Sequence, residues 1–259
     1  MNSRRARTQA NARPRGATAS TPSRRSLIIR IAAVAGFGGV VTGIRGSLQK
    51  HNAVASSTIA SAEVGGGPDW NALAAANGDA VAWLEVGRTP ISLPVVHPSA
   101  PEEEDFYLSH GFDRKPSLEG TAYLDIRSSP DAGHLLVFGH HVILDERAQF
   151  SPIHRSFIQE VFDGIGTATW HTPQNPPSRF HPVMAVRTTG KFELIQRFRF
   201  PDDEDLHAWL RDLLHRSHAR AEDADKRIGA ASQALTLCTC SSERAGGRDR
   251  TLVIFARSR

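Results

Sequence analysis

Eight short runs of apolar and β-branched residues, bounded by Gly, Pro, Asn, Asp or Ser, recur between residues 81 and 257. They are 81–86 (VAWLEV), 91–96 (ISLPVV), 121–126 (TAYLDI), 134–139 (HLLVFG), 166–172 (GTATWHT), 180–189 (FHPVMAVRTT), 234–240 (ALTLCTC) and 251–257 (TLVIFAR). Eight strands of this length predict a mainly β fold, a closed or nearly closed barrel. A short N-terminal helix is expected from Pro68-Asp69 over Trp70, Leu73 and Ala74, stopping near Asn77-Gly78. A second, over 152–162, is expected to bury Phe157, Ile158, Val161 and Phe162. A long helix over 203–217 repeats Leu206, Trp209, Leu210, Leu213 and Leu214 on one face. Asp202 is its expected cap, acids fill its first turn, and His215 and Arg216 lie in its last. So regular an apolar face reads as core packing.

Charge separates this domain from what precedes it. Ten of the 31 basic residues lie in residues 1–50 with no acid, which leaves 21 basic against 27 acidic residues beyond them, a net charge of −6. The pI near 9.5 therefore describes a tail, and a nucleic-acid partner is not expected. Residues 1–25 are rich in Arg, Ala, Ser and Thr and read as a disordered cytoplasmic tail. Residues 26–44 form an apolar stretch interrupted only by Arg30, about 28 Å long as a helix. Seven preceding arginines place the N-terminus in the cytoplasm and everything after residue 44 outside. The segment reads as a single-pass transmembrane anchor. Two alternatives are a signal peptide cleaved near Ala53-Val54-Ala55 and a twin-arginine export signal at Ser23-Arg24-Arg25. Every one of these readings exports the domain at 68–259 through the linker 45–67.

Two cysteines, Cys238 and Cys240, cannot build a disulfide scaffold. Cys240 ends an expected strand beside a polar loop, where a thiol is either an accessible nucleophile or an inert buried group. His140 and His141 end another strand, and imidazole has the pKa to exchange a proton with a thiol. Arg250 opens the last strand, where a guanidinium donates fixed hydrogen bonds to an oxygen gaining charge. Zinc competes for the same residues, but adjacent histidines on a strand face opposite sides, and C-x-C with H-H is not a usual zinc spacing. No metal or organic cofactor is demanded.

In this order the motifs resemble a class B sortase, an extracellular cysteine transpeptidase of Gram-positive bacteria. The resemblance runs through 79–84 (DAVAWL), 91–96 (ISLPVV), 106–108 (FYL), 120–125 (GTAYLD), 137–141 (VFGHH), 149–153 (QFSPI), 236–240 (TLCTC) and 250–256 (RTLVIFA). It spans residues 68–259 and includes the long helix before the cysteine strand. It implies an eight-stranded sortase-like barrel with Cys240 as nucleophile, His140 as catalytic histidine and Arg250 as catalytic arginine. His141 ranks second to His140, and Arg244 and Arg248 lie inside the loop and rank below Arg250. Cys238 stands where the family carries a small polar residue. It and Thr239 are expected to line the substrate site. A Cys238–Cys240 disulfide, across about 6.6 Å of strand, would be strained and would block the nucleophile.

The implied reaction is acyl transfer. Cys240 attacks a Thr–X bond in the C-terminal sorting signal of a secreted protein, and the acyl group passes to an amine of a peptidoglycan precursor or a pilin lysine. Asp125 or another acid is available to orient His140. Two readings outside this class are a cell-wall cysteine hydrolase and a non-catalytic, membrane-anchored binding protein.

Overall fold

The computed structural model describes residues 67–99, 105–129, 132–189, 192–242 and 247–259. The expected tail, membrane segment and nearly all of the linker lie outside these residues. Helix α1, Trp70–Ala76, starts where Asp69 accepts the N–H groups of Asn71 and Ala72, both at 3.0 Å. It ends at Asn77, as expected.

Strands β1 (Ala80–Val86), β2 (Ser92–Val96), β3 (Tyr123–Leu124), β4 (His134–Phe138), β5 (Ala168–His171) and β6 (Ser178–Thr189) come first in the chain. Then follow β7 (Ala219–Arg220), β8 (Gln233–Cys240) and β9 (Asp249–Arg257). The sheet order is β5-β1-β2-β3-β4-β8-β9-β6, and a β5–β6 pairing closes these eight strands into a barrel. The two-residue β7 hangs from β6 outside that circuit.

Alternation along the strands gives the barrel two faces. Ala82, Val95, Leu124, Val137, Ala168, Phe180, Leu235 and Val253 belong to one cluster, and only an inward face brings together residues from all eight strands. Leu136, Phe138, Ala234, Cys238, Leu252 and Ile254 belong to a second cluster on the outside. Helix α3, Asp203–Leu214, covers that outer face with the five apolar side chains its periodicity predicts. Strands β4, β8 and β9 are thus buried on both faces, which is why their sequences read as nearly unbroken apolar runs.

Three expectations are corrected. The strand over 121–126 contracts to two residues because Asp125 turns the chain, its carboxylate accepting the N–H of Arg127 at 2.9 Å. The helix over 152–162 is a 3-10 turn, Ser151–Ile153, followed by a separate α2, Gln159–Asp163. Extended backbone at Ile158 divides them, and only Phe162 of the four expected apolar residues is buried. Helix α3 stops at Leu214, with His215 as its cap, and a short α4, Ala224–Gly229, follows β7.

His134 opens β4 wholly buried, its Nδ1 donating to the Arg197 carbonyl at 2.9 Å and its Nε2 accepting the Thr236 hydroxyl at 2.8 Å. Burial outweighs the Arg197 carbonyl and the Asp125 charge and lowers its pKa from 6.5 to about 4. The unfolded chain therefore takes up the proton first. The contribution, ~3 kcal/mol, is fully present above pH 6.5 and is lost as pH falls towards 4. Urea unfolding at pH 7 and pH 5 should show this loss in the wild type and a smaller one in His134→Gln; equal losses would contradict it.

Candidate active site

The site is assembled by strand register. Strands β4 and β8 run parallel with partners from His134–Ala234 through Phe138–Cys238, and the Gly139 N–H continues the ladder to the Cys238 carbonyl at 3.0 Å. One step further, His140 stands level with Cys240. On the other side β9 runs antiparallel to β8 and pairs Cys240 with Arg250. Neighbouring strands lie about 4.8 Å apart, so the three expected residues share one rung at the open end of the barrel. All three continue the outward alternation of Leu136, Phe138, Cys238 and Leu252. Gly139 has no room for a side chain, since a Cβ there would lie 2.5 Å from the Phe150 ring.

His140 is half-buried, and its Nε2 meets the Leu108 carbonyl at 2.8 Å. A carbonyl only accepts, so Nε2 carries a proton in either charge state and Nδ1 is the nitrogen left to exchange one. Burial lowers the pKa of His140, Arg250 adds to the effect, and the Leu108 carbonyl opposes it. No acid orients the ring among the described residues. Asp125 is fully buried and clasped by Arg127, whose Nη2 donates at 2.7 Å. His141 faces the other way, its Nδ1 3.2 Å from the Ser242 carbonyl and its ring stacked on His154 at 4.0 Å.

Both cysteines are free thiols. Cys240 is half-buried; burial raises its pKa and the Arg250 charge pulls it back. Cys238 is 2% exposed, and burial pushes its thiol up to about 12. Cys238 and Thr239, expected to line the substrate site, are both buried. Cys238 packs in the outer core, Thr239 is 0% exposed, and neither side chain offers surface to a peptide.

Arg250 is 4% exposed. Its Nη1 donates to the Gly247 and Asp249 carbonyls at 2.8 and 2.9 Å, which ties down the end of the β8–β9 loop. Its Nε is buried without a partner among the described residues. The N–H of Ser241, next to the thiol, is already given to the Asp249 carbonyl at 3.1 Å. Arg248 is exposed, and Arg244 lies outside the described residues.

Two contributors escaped the sequence reading. One is the Leu108 carbonyl, which no side-chain pattern signals. The other is Gly120, at φ +59°, where a Cβ would fall 2.9 Å from His140 Cδ2 and 2.6 Å from the Tyr107 carbonyl oxygen. A glycine immediately ahead of the strand-forming stretch 121–126 was its available signal.

No family model matches the chain. Among curated proteins it is similar to sortase B of Staphylococcus aureus, 22% identical over 189 residues, covering 72% of this chain and 73% of that protein. Among solved structures, Clostridium perfringens sortase B superposes with a TM-score of 0.61 at 23% identity, covering 72% of this chain and 97% of that one. For S. aureus sortase B the TM-score is 0.63 at 20% identity, covering 82% and 97%. For sortase B from Bacillus anthracis in complex with AAEK1 it is 0.65 at 18% identity, covering 83% and 98%. One sortase B structure is a complex with triglycine, and another, from S. aureus, is a complex with substrate. The barrel is the class B sortase fold, and the resemblance read from the motifs holds in sequence and in structure.

The two thiols should differ sharply towards iodoacetamide. Cys240 should be alkylated at a rate that climbs with pH through a value above that of a free thiol, while Cys238 stays unmodified until the chain is unfolded. Peptide mapping after timed alkylation reads both, and equal labelling of the two would contradict the burial assigned to Cys238.

Proposed function

We propose that this chain is a sortase-type cysteine transpeptidase working from Cys240, His140 and Arg250. The observation that carries the reading is their common rung across β4, β8 and β9. Nucleophile, proton donor and oxyanion donor come together there.

The Cys240 thiolate attacks the carbonyl carbon of a Thr–X bond in a sorting signal, and Arg250 donates hydrogen bonds to the oxygen that gains charge. Protonated His140 gives its proton to the departing amine as the C–N bond breaks, leaving a thioacyl enzyme. An incoming primary amine then attacks, His140 takes its proton, and Cys240 leaves as the thiolate while a new amide forms. We take the acceptor to be an amine of a peptidoglycan precursor or a pilin lysine; the triglycine complex of a sortase B supports an amino-terminal acceptor. We also assign residues 26–44 as the tether that holds the domain outside the membrane, where secreted proteins pass.

In the free enzyme burial favours the uncharged forms of both His140 and Cys240. Burial puts the His140 pKa below and the Cys240 pKa above their ordinary values, so at neutral pH the thiol–imidazole pair outnumbers the thiolate–imidazolium pair. The pH profile of kcat/KM should be a bell wider than the unperturbed groups would give. Its acid limb should follow the lowered His140 and its alkaline limb the raised Cys240.

Incubation with a sorting-signal peptide and triglycine should give the peptide–triglycine amide at the expense of the free acid, and Cys240→Ala should give neither. A product ratio indifferent to the amine would identify a hydrolase instead. Arg250→Lys keeps the cation but loses the planar fork, so kcat should fall about 100-fold while Cys240 alkylation stays near wild type. Parallel loss of both would deny Arg250 a role in the oxyanion step.

A further inference from the structure

Because His140 is oriented by a backbone carbonyl, its aim depends on whatever fixes that carbonyl. Leu108 closes the 3-10 turn Phe106–Leu108, and the turn is pinned from beneath by Tyr107, which is fully buried. The Tyr107 hydroxyl donates to Asp79 Oδ2 at 2.6 Å and accepts Asn77 Nδ2 and Arg114 Nη1, each at 3.0 Å. Asp79 also accepts Ser99 Oγ and the Arg114 guanidinium, which lies 4.7 Å over the Phe106 ring. Asn77 Nδ2 holds the Phe112 carbonyl at 2.8 Å. The turn is also held from above, where the Thr121 N–H donates to the Tyr107 carbonyl at 2.9 Å and Gly120 sits against both that carbonyl and the His140 ring.

We propose that Tyr107, Asp79 and Arg114 are positioning residues for His140. Their cluster fixes the Phe106–Leu108 turn, and the turn's last carbonyl fixes the imidazole. The inference rests on the transpeptidase reading for its effect on turnover, and on geometry alone for its effect on the ring. The cluster is suited to the task. Burial and the neighbouring Asp79 push the Tyr107 phenol up to about 12, so it stays a donor throughout the working range. Burial works against the Asp79 carboxylate, but the Ser99 and Tyr107 hydroxyls and the Arg114 cation overcome it and hold its pKa below the ordinary value. Among the described residues the charged or titratable groups at the His140 rung are Arg250 on β9 and Cys240 on β8, and neither belongs to this cluster.

The test compares Tyr107→Phe with Ser128→Ala in the full chain. The first keeps the ring and removes the hydroxyl. The second removes a buried hydroxyl that hydrogen-bonds the His134 carbonyl at 3.3 Å, at the opposite end of β4. Tyr107→Phe should lower kcat for peptide transfer about tenfold with KM within about twofold. The Leu108 carbonyl favours the protonated ring, so loosening it should also move the acid limb of the profile and the NMR titration of His140 to lower pH. Ser128→Ala should move neither. Arg114→Gln, on a side chain 40% exposed, takes the place of Tyr107→Phe if that variant fails to fold. A destabilised variant with wild-type kcat and an unmoved His140 titration would overturn the proposal. If the wild type transfers no peptide, the transpeptidase reading fails, while the titration still decides the positioning role.

Discussion

Strand β8 carries the arrangement because its hydrogen-bonded ladders set two registers at once. The parallel register with β4, carried two residues past its last pair, sets His140 level with Cys240, and antiparallel pairing with β9 sets Arg250 opposite the same residue. A slip of one residue in either ladder would turn every side chain to the other face, presenting His141 in place of His140 or Thr251 in place of Arg250. Burial on both faces prevents that slip. Leu235 and Leu237 point into the barrel, while Ala234 and Cys238 point outward into the second cluster, so a shifted register would misplace two cores together. Cys238 acts here as a small apolar side chain, packing β8 into the outer core two residues before Cys240.

The rim environment sets the chemistry. Cys240 is buried enough for its thiol to resist ionising, and Arg250 is near enough to moderate that resistance. Arg250 stands at the same rung, its Nε buried and without a partner among the described residues. The same guanidinium uses Nη1 to hold the loop carbonyls of Gly247 and Asp249, so its position is fixed by the fold itself.

Most of the barrel was legible in the sequence because a strand buried on one face alternates and a strand buried on both is continuous, and each leaves its mark. The face of α3 was legible for the same reason, with Asp202 accepting the Asp205 N–H at 2.9 Å as its cap. The helix expected over 152–162 failed where local propensity met tertiary constraint. Phe157 lies half-buried with the Arg187 guanidinium 4.9 Å over its ring, and so does not enter the core as its apolarity suggested. The residue types of the rung were legible as nucleophile, imidazole and guanidinium at strand ends. Their support was not, because a backbone carbonyl and a glycine carry no side-chain signature, and the contacts between Asp79, Tyr107 and Arg114 span as many as 35 residues of sequence. The burial of Cys238 and Thr239 was not legible either, because closeness to the thiol along the chain does not reveal it.

Intact mass of the full chain after incubation with sorting-signal peptides tests the central claim most directly, with wild type, Cys238→Ala and Cys240→Ala compared under reducing conditions. A thioacyl adduct is expected in the wild type and in Cys238→Ala, absent from Cys240→Ala and discharged by hydroxylamine as the hydroxamate. An adduct that persists in Cys240→Ala, or one that depends on Cys238, would contradict it.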